Sequence, residues 1–293
     1  VAATLSAQAM DRIDPALEDI ELELFVRALR QRHGYDFGHY APASLRRRVR
    51  QLVHAHDTGT ISALTGRLLH EPEFVFEVIE GLSVPVSDMF RDPPVFRALR
   101  EQVLPLLASW PRINIWQAGC ASGQEVYSLA ILLEEEGLYD RCQIYATDFN
   151  PAALRRAQEG IYPVRAAQAW SRNYQEAGGR HSLADYYSAR YEFIKLDQRL
   201  RRNVSFANHN LVTDKVFCEA QLVLCRNVLI YFANPLQDRV LGLFRDSLVR
   251  GGFLCLGLRE SLDFAPSAAD FTALDADLRI YRRNVFPASD GAA

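Results

Sequence analysis

Residues 113–130 read INIWQAGCASGQEVYSLA, and this stretch decides the fold class. The apolar run 113–116 has the length and isoleucine-rich character of a buried strand. It is followed by the small-residue loop from Gly119 to Gly123, which leads into a helical pattern. Small residues let the backbone approach a bound molecule, and the start of a helix offers N–H groups without intrahelical partners. Such a loop serves equally well as a tight strand-to-helix turn, so by itself it is a weak signal.

Outward from that unit the same grammar repeats. Apolar runs at 143–146, 204–207, 222–225 and 253–258 read as buried strands. Helical stretches at 125–136, 151–159 and 235–249 separate them, the last closed by Gly251 and Gly252. Asp92 and Pro93 read as the N-cap and first turn of a helix carrying Phe96, Leu99, Val103 and Leu106. Alternating strands and helices predict a mostly parallel sheet covered on both faces, with ligands bound beyond the carboxyl ends of its strands. One segment, 162–203, shows no clean repeat and reads as an insertion between two strands.

Upstream, residues 16–86 read as all-helical. Ile20, Leu24 and Ala28 recur at helical spacing beside Phe25 and Leu29, and Gly34 supplies a stop. Ser44 is placed to cap a second helix with Leu45, Val49, Leu52 and Val53 on its apolar face. Ile61, Leu64 and Leu68 mark a third helix, and 74–79 a fourth ending near Gly81. The domain bounds expected are an N-terminal extension over 1–15, a helical domain over 16–83, a linker over 84–93, a main domain over 94–285 with its insertion at 161–203, and a tail over 286–293.

Of 293 residues, 49% are hydrophobic and 24% charged, with a formal net charge of −3. That balance excludes a disordered chain and a generically nucleic-acid-binding one. No apolar run approaches the ~20 residues that span a bilayer, and no secretory leader is read. The cysteine count is five, without a Cys-x-x-Cys pair, which favours buried free thiols in a reducing, cytoplasmic setting and no metal.

The loops after the strands carry the chemistry. Asp148, at the end of the second strand, is placed to accept hydrogen bonds from a ribose diol, while Asn150 serves as the N-cap of the next helix. Nicotinamide enzymes share that pairing, but Ala121 stands where their fingerprint has its second glycine. Glu125 beside the loop would repel a pyrophosphate and would suit the ammonium of a methionine moiety, so charge favours S-adenosylmethionine. Asn210 and Leu211 are placed to hold an adenine, and Arg226 and Asn227 put polar groups directly after a buried strand. Tyr231 alone reads equally well as a core aromatic.

Five pieces together resemble the chemotaxis-receptor glutamate O-methyltransferase family, the CheR type. They are SDMFR at 87–91, GCASGQEVYS at 119–128, YATD at 145–148, Asn210-Leu211, and CRNVLIYF at 225–232. The resemblance implies a class I S-adenosylmethionine-dependent methyltransferase: a Rossmann-like, mostly parallel seven-stranded sheet, a small all-helical N-terminal domain and a β-rich inserted subdomain. It implies that Glu125 meets the methionine ammonium and Asp148 the ribose. Gly119, Cys120, Ala121, Phe149, Asn210, Leu211, Arg226 and Asn227 would line the cofactor and its product, S-adenosylhomocysteine. Ser87 and Arg91 would lie over the cofactor, with Arg91 and Tyr231 at the transferring methyl. Ser87 and Met89 stand where Thr and Phe are usual, Pro85 where some members have Asn, Gln124 for a common Glu and Val126 for a frequent Pro.

An arginine run by itself reads as a solvated helix face. The resemblance gives Arg46, Arg47 and Arg50 a further role, docking on the acidic methylation helices of a cytoplasmic receptor, and leaves open a place within a larger signalling chain. In some members the insertion also grips a receptor tail by strand addition; 162–203 is polar and lacks that pattern. Two other readings stand beside this one: a non-catalytic cofactor-binding module of a signalling system, and a methyltransferase for a different protein carboxylate.

Overall fold

Asp14 accepts a hydrogen bond from the Ala16 N–H at the start of a helix whose first residue is a proline, the position where its missing N–H costs nothing. This helix, α1 (Pro15–His33), ends at Gly34 in the left-handed conformation. α2 (Pro42–Ala55), α3 (Ile61–His70) and α4 (Phe74–Leu82) follow. The computed structural model describes residues 14–82, 87–263 and 265–286. Most of the expected N-terminal extension and tail, and the start of the expected linker with its Pro85, therefore lie outside the described residues.

The chain divides into two units. One comprises residues 1–84 with 231–236; the other comprises 85–230 with 237–293. In the helical unit the core is Phe25, Leu29, Val49, Leu64, Leu68, Val78 and Ile79, all essentially inaccessible. Two expectations fail here. α1 turns Leu22, Phe25 and Leu29 inward and leaves Ile20 and Leu24 more than half exposed, because the buried stripe is set by what α3 offers it. Ser44 is not a cap; α2 begins at Pro42 with Ala41 at its N-cap and no side-chain bond there.

In the second unit, α5 (Pro93–Ala98) passes through a π-helical turn at Leu99–Val103 into α6 (Leu104–Leu107). Strand β1 (Ile113–Ala118) leads to α7 (Gln124–Glu135), β2 (Cys142–Asp148) and α8 (Pro151–Glu159), whose N-cap is Asn150. The insertion then contributes β3 (Ile161–Pro163), α9 (Ala167–Glu176), β4 (Tyr187–Arg190) and β5 (Phe193–Leu196). β6 (Val204–Asn208), β7 (Ala220–Cys225), α10 (Asn234–Ser247), β8 (Leu248–Leu256), β9 (Phe271–Asp275) and β10 (Ile280–Arg283) complete the order.

Among the described residues the main sheet has the order β6-β2-β1-β7-β8-β10-β9. Pairing is parallel from β6 through β8, and β10 runs antiparallel to both neighbours. It is the mostly parallel seven-stranded sheet that the resemblance implies. β1, β2 and β7 read as apolar runs because they are covered on both faces; Ile115, Val223 and Leu224 have no exposure. β9 and β10 leave no such run, since a half-exposed pair buries few side chains on each strand. α10 is not closed by Gly251 and Gly252: it ends at Ser247 and both glycines lie within β8.

The inserted sheet has the order β3-β5-β4, all antiparallel. Its exposed face carries Ile161, Pro163 and Phe193 beside Lys195, so apolar residues stand on both faces and hide the alternation that marks strands, which is why 162–203 gives no repeat. The insertion is anchored on α7 by Glu135, whose carboxylate is bonded by Arg100 and by the Tyr174 and Tyr186 hydroxyls.

Candidate functional site

The strand order reverses between β1 and β7, so the loops after those strands diverge and leave a crevice at their carboxyl ends. After β1, Gly119 takes φ = 70°, and a β-carbon there would lie 2.6 Å from Val228 Cγ2 in the loop after β7. Ala121 is left-handed as well, at φ = 47°, an unusual state for alanine. It is held there by Asp148, whose Oδ2 accepts the Ala121 N–H at 2.9 Å while Oδ1 accepts that of Asn150 at 2.9 Å. Burial pushes the Asp148 carboxyl up from its ordinary range, and the N–H groups of Asn150 and Ala121 oppose that shift. The Phe149 N–H opposes it as well, and three backbone donors still leave acceptor capacity on this carboxylate for a further donor. Cys120 is buried between these groups, and burial and the Asp148 charge push its thiol well up, so it packs and does not react.

A second cluster lies beside the loop. Arg226, with a fully buried side chain, donates from Nη1 to Glu125 Oε2 at 2.6 Å and from Nη2 to Asp92 Oδ2 at 2.7 Å. Gln117 Nε2 donates to the other Glu125 oxygen at 2.9 Å. Two carboxylates around one guanidinium leave the cluster with a single net negative charge. Two acceptors beside it lack hydrogen bonds: Gln117 Oε1 on β1 and Asn227 Oδ1 after β7 are buried without a partner among the described residues. Unmet buried acceptors in a net negative setting suit a ligand carrying an ammonium.

Asp92 is therefore not the cap its sequence suggests. It stands at the N-cap position of α5 but at φ = 55° and without a side-chain cap bond, its carboxylate turned to Arg226. Phe90 is likewise left-handed at φ = 51°. Two such non-glycine residues cost about 1–3 kcal/mol each, and they bracket Arg91. Arg91 is half-buried as a residue, and its guanidinium makes no hydrogen bond or ion pair with a described residue.

The remaining expected residues fall as follows. Asn210 Oδ1 accepts the Val212 N–H at 3.0 Å, and Leu211 is buried. The Phe149 carbonyl accepts from Asn208 Nδ2 at 3.1 Å. Ser87 is half-buried at the first described position of the strap leading to Arg91. Tyr231 groups with the helical unit, where its carbonyl accepts the Ala41 N–H at 2.8 Å and Arg48 lies over its ring, 5.6 Å from the centroid. On α2, Arg50 pairs with both oxygens of buried Glu18, and Arg46 pairs with Glu18 and Asp19; Arg47 is exposed and unpaired among the described residues.

Three contributors escape a reading of the sequence: Gln117, Asp92 and Glu260. Glu260 is buried after β8, and its carboxylate accepts the N–H groups of Asn227, Val228, Leu229 and Gly257 at 2.6–3.1 Å, so it shapes the loop after β7. An acidic residue close behind an apolar strand was the available signal.

Residues 85–278 match the family described as "CheR methyltransferase, SAM binding domain", and 20–83 match "CheR methyltransferase, all-alpha domain". The chain belongs to the CheR methyltransferase family. It is a methyltransferase of the S-adenosylmethionine-dependent class. Among its relatives, "Putative methyltransferase Cher3" of Pseudomonas putida is 50% identical over 91% of this chain and 97% of its own length. "Chemotaxis protein methyltransferase" of Listeria monocytogenes is 32% identical over 81% and 88% respectively. A 104.1 kDa protein of Rhodobacter capsulatus is 30% identical over 84% of this chain, which spans only 26% of that protein. No helix among the described residues is long and apolar enough to cross a membrane.

Proposed function

We propose that this CheR-family protein transfers a methyl group from S-adenosylmethionine to glutamate side chains of a cytoplasmic chemoreceptor-like signalling protein, forming glutamate methyl esters. The observation that carries the reading is Arg91: a guanidinium without a partner among the described residues, on a strained strap, next to an acidic cluster with unmet acceptors. A carboxylate substrate supplies the charge that Arg91 lacks.

The chain's residues fit the cofactor. Glu125, Gln117 and Asn227 would take the methionyl ammonium, Asp148 the ribose, and Asn210 with Leu211 the adenine. When bound, S-adenosylmethionine supplies a methyl group on a cationic sulfur. Transfer would be an in-line displacement at that methyl carbon, with a glutamate oxygen as nucleophile and the neutral thioether as leaving group. A carboxylate with pKa ~4.3 is already ionised at neutral pH, so no base is needed. The protein's work is alignment and partial removal of water. Arg91 positions the incoming carboxylate by a charge-assisted bond; a tight bidentate clamp would quench the nucleophile. Tyr231 orients the carboxylate or the methyl group.

Receptor docking falls to the basic face of α2, where a surface groove is lined by Ala43, Arg46, Arg47, Arg50, Gln51 and His54. Glu18 and Asp19 already neutralise much of Arg46 and Arg50, which leaves Arg47 as the charge available to an acidic helix. Arg47→Glu is expected to raise KM for a receptor fragment about tenfold at low salt, with the difference shrinking as salt screens it and the melting temperature unchanged. An unaltered KM at low salt would dismiss docking through α2.

The reading as a whole is tested by incubating the protein with methyl-labelled S-adenosylmethionine and cytoplasmic receptor fragments. Label released as methanol by mild base supports glutamate esters. Base-stable label points to another nucleophile, and cofactor binding without incorporation points to an interaction module; either result overturns the proposal.

A further inference from the structure

The insertion reaches back to the site through two separate arms. From β3, the Tyr162 hydroxyl donates to the Ser122 carbonyl of the loop after β1 at 2.6 Å. From α9, Trp170 Nε1 donates to Asp88 Oδ1 at 3.1 Å and Asn173 Nδ2 donates to the Met89 carbonyl at 3.1 Å. Tyr174, also on α9, meets the Phe90 ring edge-on at 5.2 Å. The arms touch each other, since the Tyr162 and Trp170 rings lie 5.4 Å apart.

Each arm lands where the backbone is least able to hold itself. Phe90 and Asp92 are left-handed without being glycine, and such residues persist only when their surroundings over-determine them. The Phe90 N–H is caught by Ser128 Oγ at 2.8 Å and Asp92 by Arg226, while the Asp88 carboxylate and the Met89 carbonyl accept hydrogen bonds from side chains of α9. The loop from Gly119 to Gly123 is pinned at Ala121 by Asp148 on one side and at Ser122 by Tyr162 on the other.

We infer that the insertion is a two-armed brace, in which Tyr162 positions the cofactor loop while Trp170 and Asn173 position the strap that carries Arg91. These are positioning residues: they touch the loop and the strap and act through them. Burial holds the Tyr162 hydroxyl protonated far above neutral pH, so its donor role is constant. The inference rests on the proposed function for what Arg91 does, but not for where the strap is held.

The two arms predict separable defects. Tyr162→Phe is expected to weaken S-adenosylmethionine affinity, read calorimetrically, about tenfold, with kcat retained at saturating cofactor; the loss of one buried hydrogen bond has that size. Asn173→Ala and Trp170→Phe are expected to lower kcat about tenfold while cofactor affinity stays within about twofold of wild type. Hydrogen exchange of the strap peptide, 87–92, should accelerate in both. Asp88 is exposed, so its variants fold safely: Asp88→Asn, which keeps an acceptor for Trp170, should match wild type, and Asp88→Ala should match Trp170→Phe.

Proportional losses in both parameters together with a lower melting temperature would reduce the insertion to a stabilising appendage and overturn the brace. So would an unchanged kcat and unchanged strap exchange in Asn173→Ala and Trp170→Phe. If the wild type methylates no receptor fragment, the proposed function falls, and cofactor affinity with strap exchange still decides the brace.

Discussion

Arg91→Ala is expected to lower turnover on a receptor fragment by two to three orders of magnitude while leaving S-adenosylmethionine affinity within about threefold. Losing one charged donor aimed at reacting atoms has that magnitude. The asymmetry follows from the surroundings of the guanidinium. It pairs with no described residue, so its removal strands no buried partner, and stability should change by less than about 0.5 kcal/mol. Arg91→Lys keeps the charge but not the planar fork and should recover only part of the rate. Steady-state kinetics beside calorimetric cofactor titration decides the matter. Equal losses in turnover and affinity would remove the positioning role and make Arg91 a cofactor ligand.

Arg226→Met should be the most damaging single change. The guanidinium is fully buried between Glu125 and Asp92, and the methionine leaves two carboxylates facing each other without a counter-charge. Breaking a buried pair from one side typically costs about 3–5 kcal/mol, which for a protein of this size is a fall in melting temperature on the order of 10 °C. Cofactor binding should be lost with it, because Glu125 and the Asp92 end of the strap both take their places from Arg226. The triple variant that adds Glu125→Gln and Asp92→Asn removes the uncompensated charges and should regain most of the stability without regaining cofactor affinity. Thermal and urea unfolding read the first part, calorimetry the second. A single variant as stable as wild type would show that the cluster tolerates its charge and that Arg226 is only a lining group.

How much of this is legible in the sequence depends on the range of the interaction. Strand β1, the loop to Gly123 and helix α7 are readable from 113–130 because each is set by residues within a few positions of one another. The α8 cap at Asn150 and the α1 stop at Gly34 are readable for the same reason. The exposed stripe of Ile20 and Leu24 misleads, since periodicity locates an apolar face without saying which of two adjacent stripes a neighbour will cover. Asp92 misleads more sharply: a residue typed as a cap by its proline neighbour is recruited by an arginine 134 positions away.

The stretch 113–130 and the motifs after later strands were enough to determine the fold class and the cofactor class, and the resemblance carried by 87–91 together with them gave the family. Local backbone preference and the sign of the charge at Glu125 need no third dimension. The tertiary structure alone decided that Glu125 is shared with Gln117 and Arg226, that Arg91 stands between two left-handed residues without a partner among the described residues, and that an insertion without a readable pattern bonds both the loop after β1 and the strap. Hydrogen bonds and ion pairs act over about 3 Å in space and are indifferent to separation along the chain. Partners such as Asp88 and Trp170 therefore become visible only when folding brings them together.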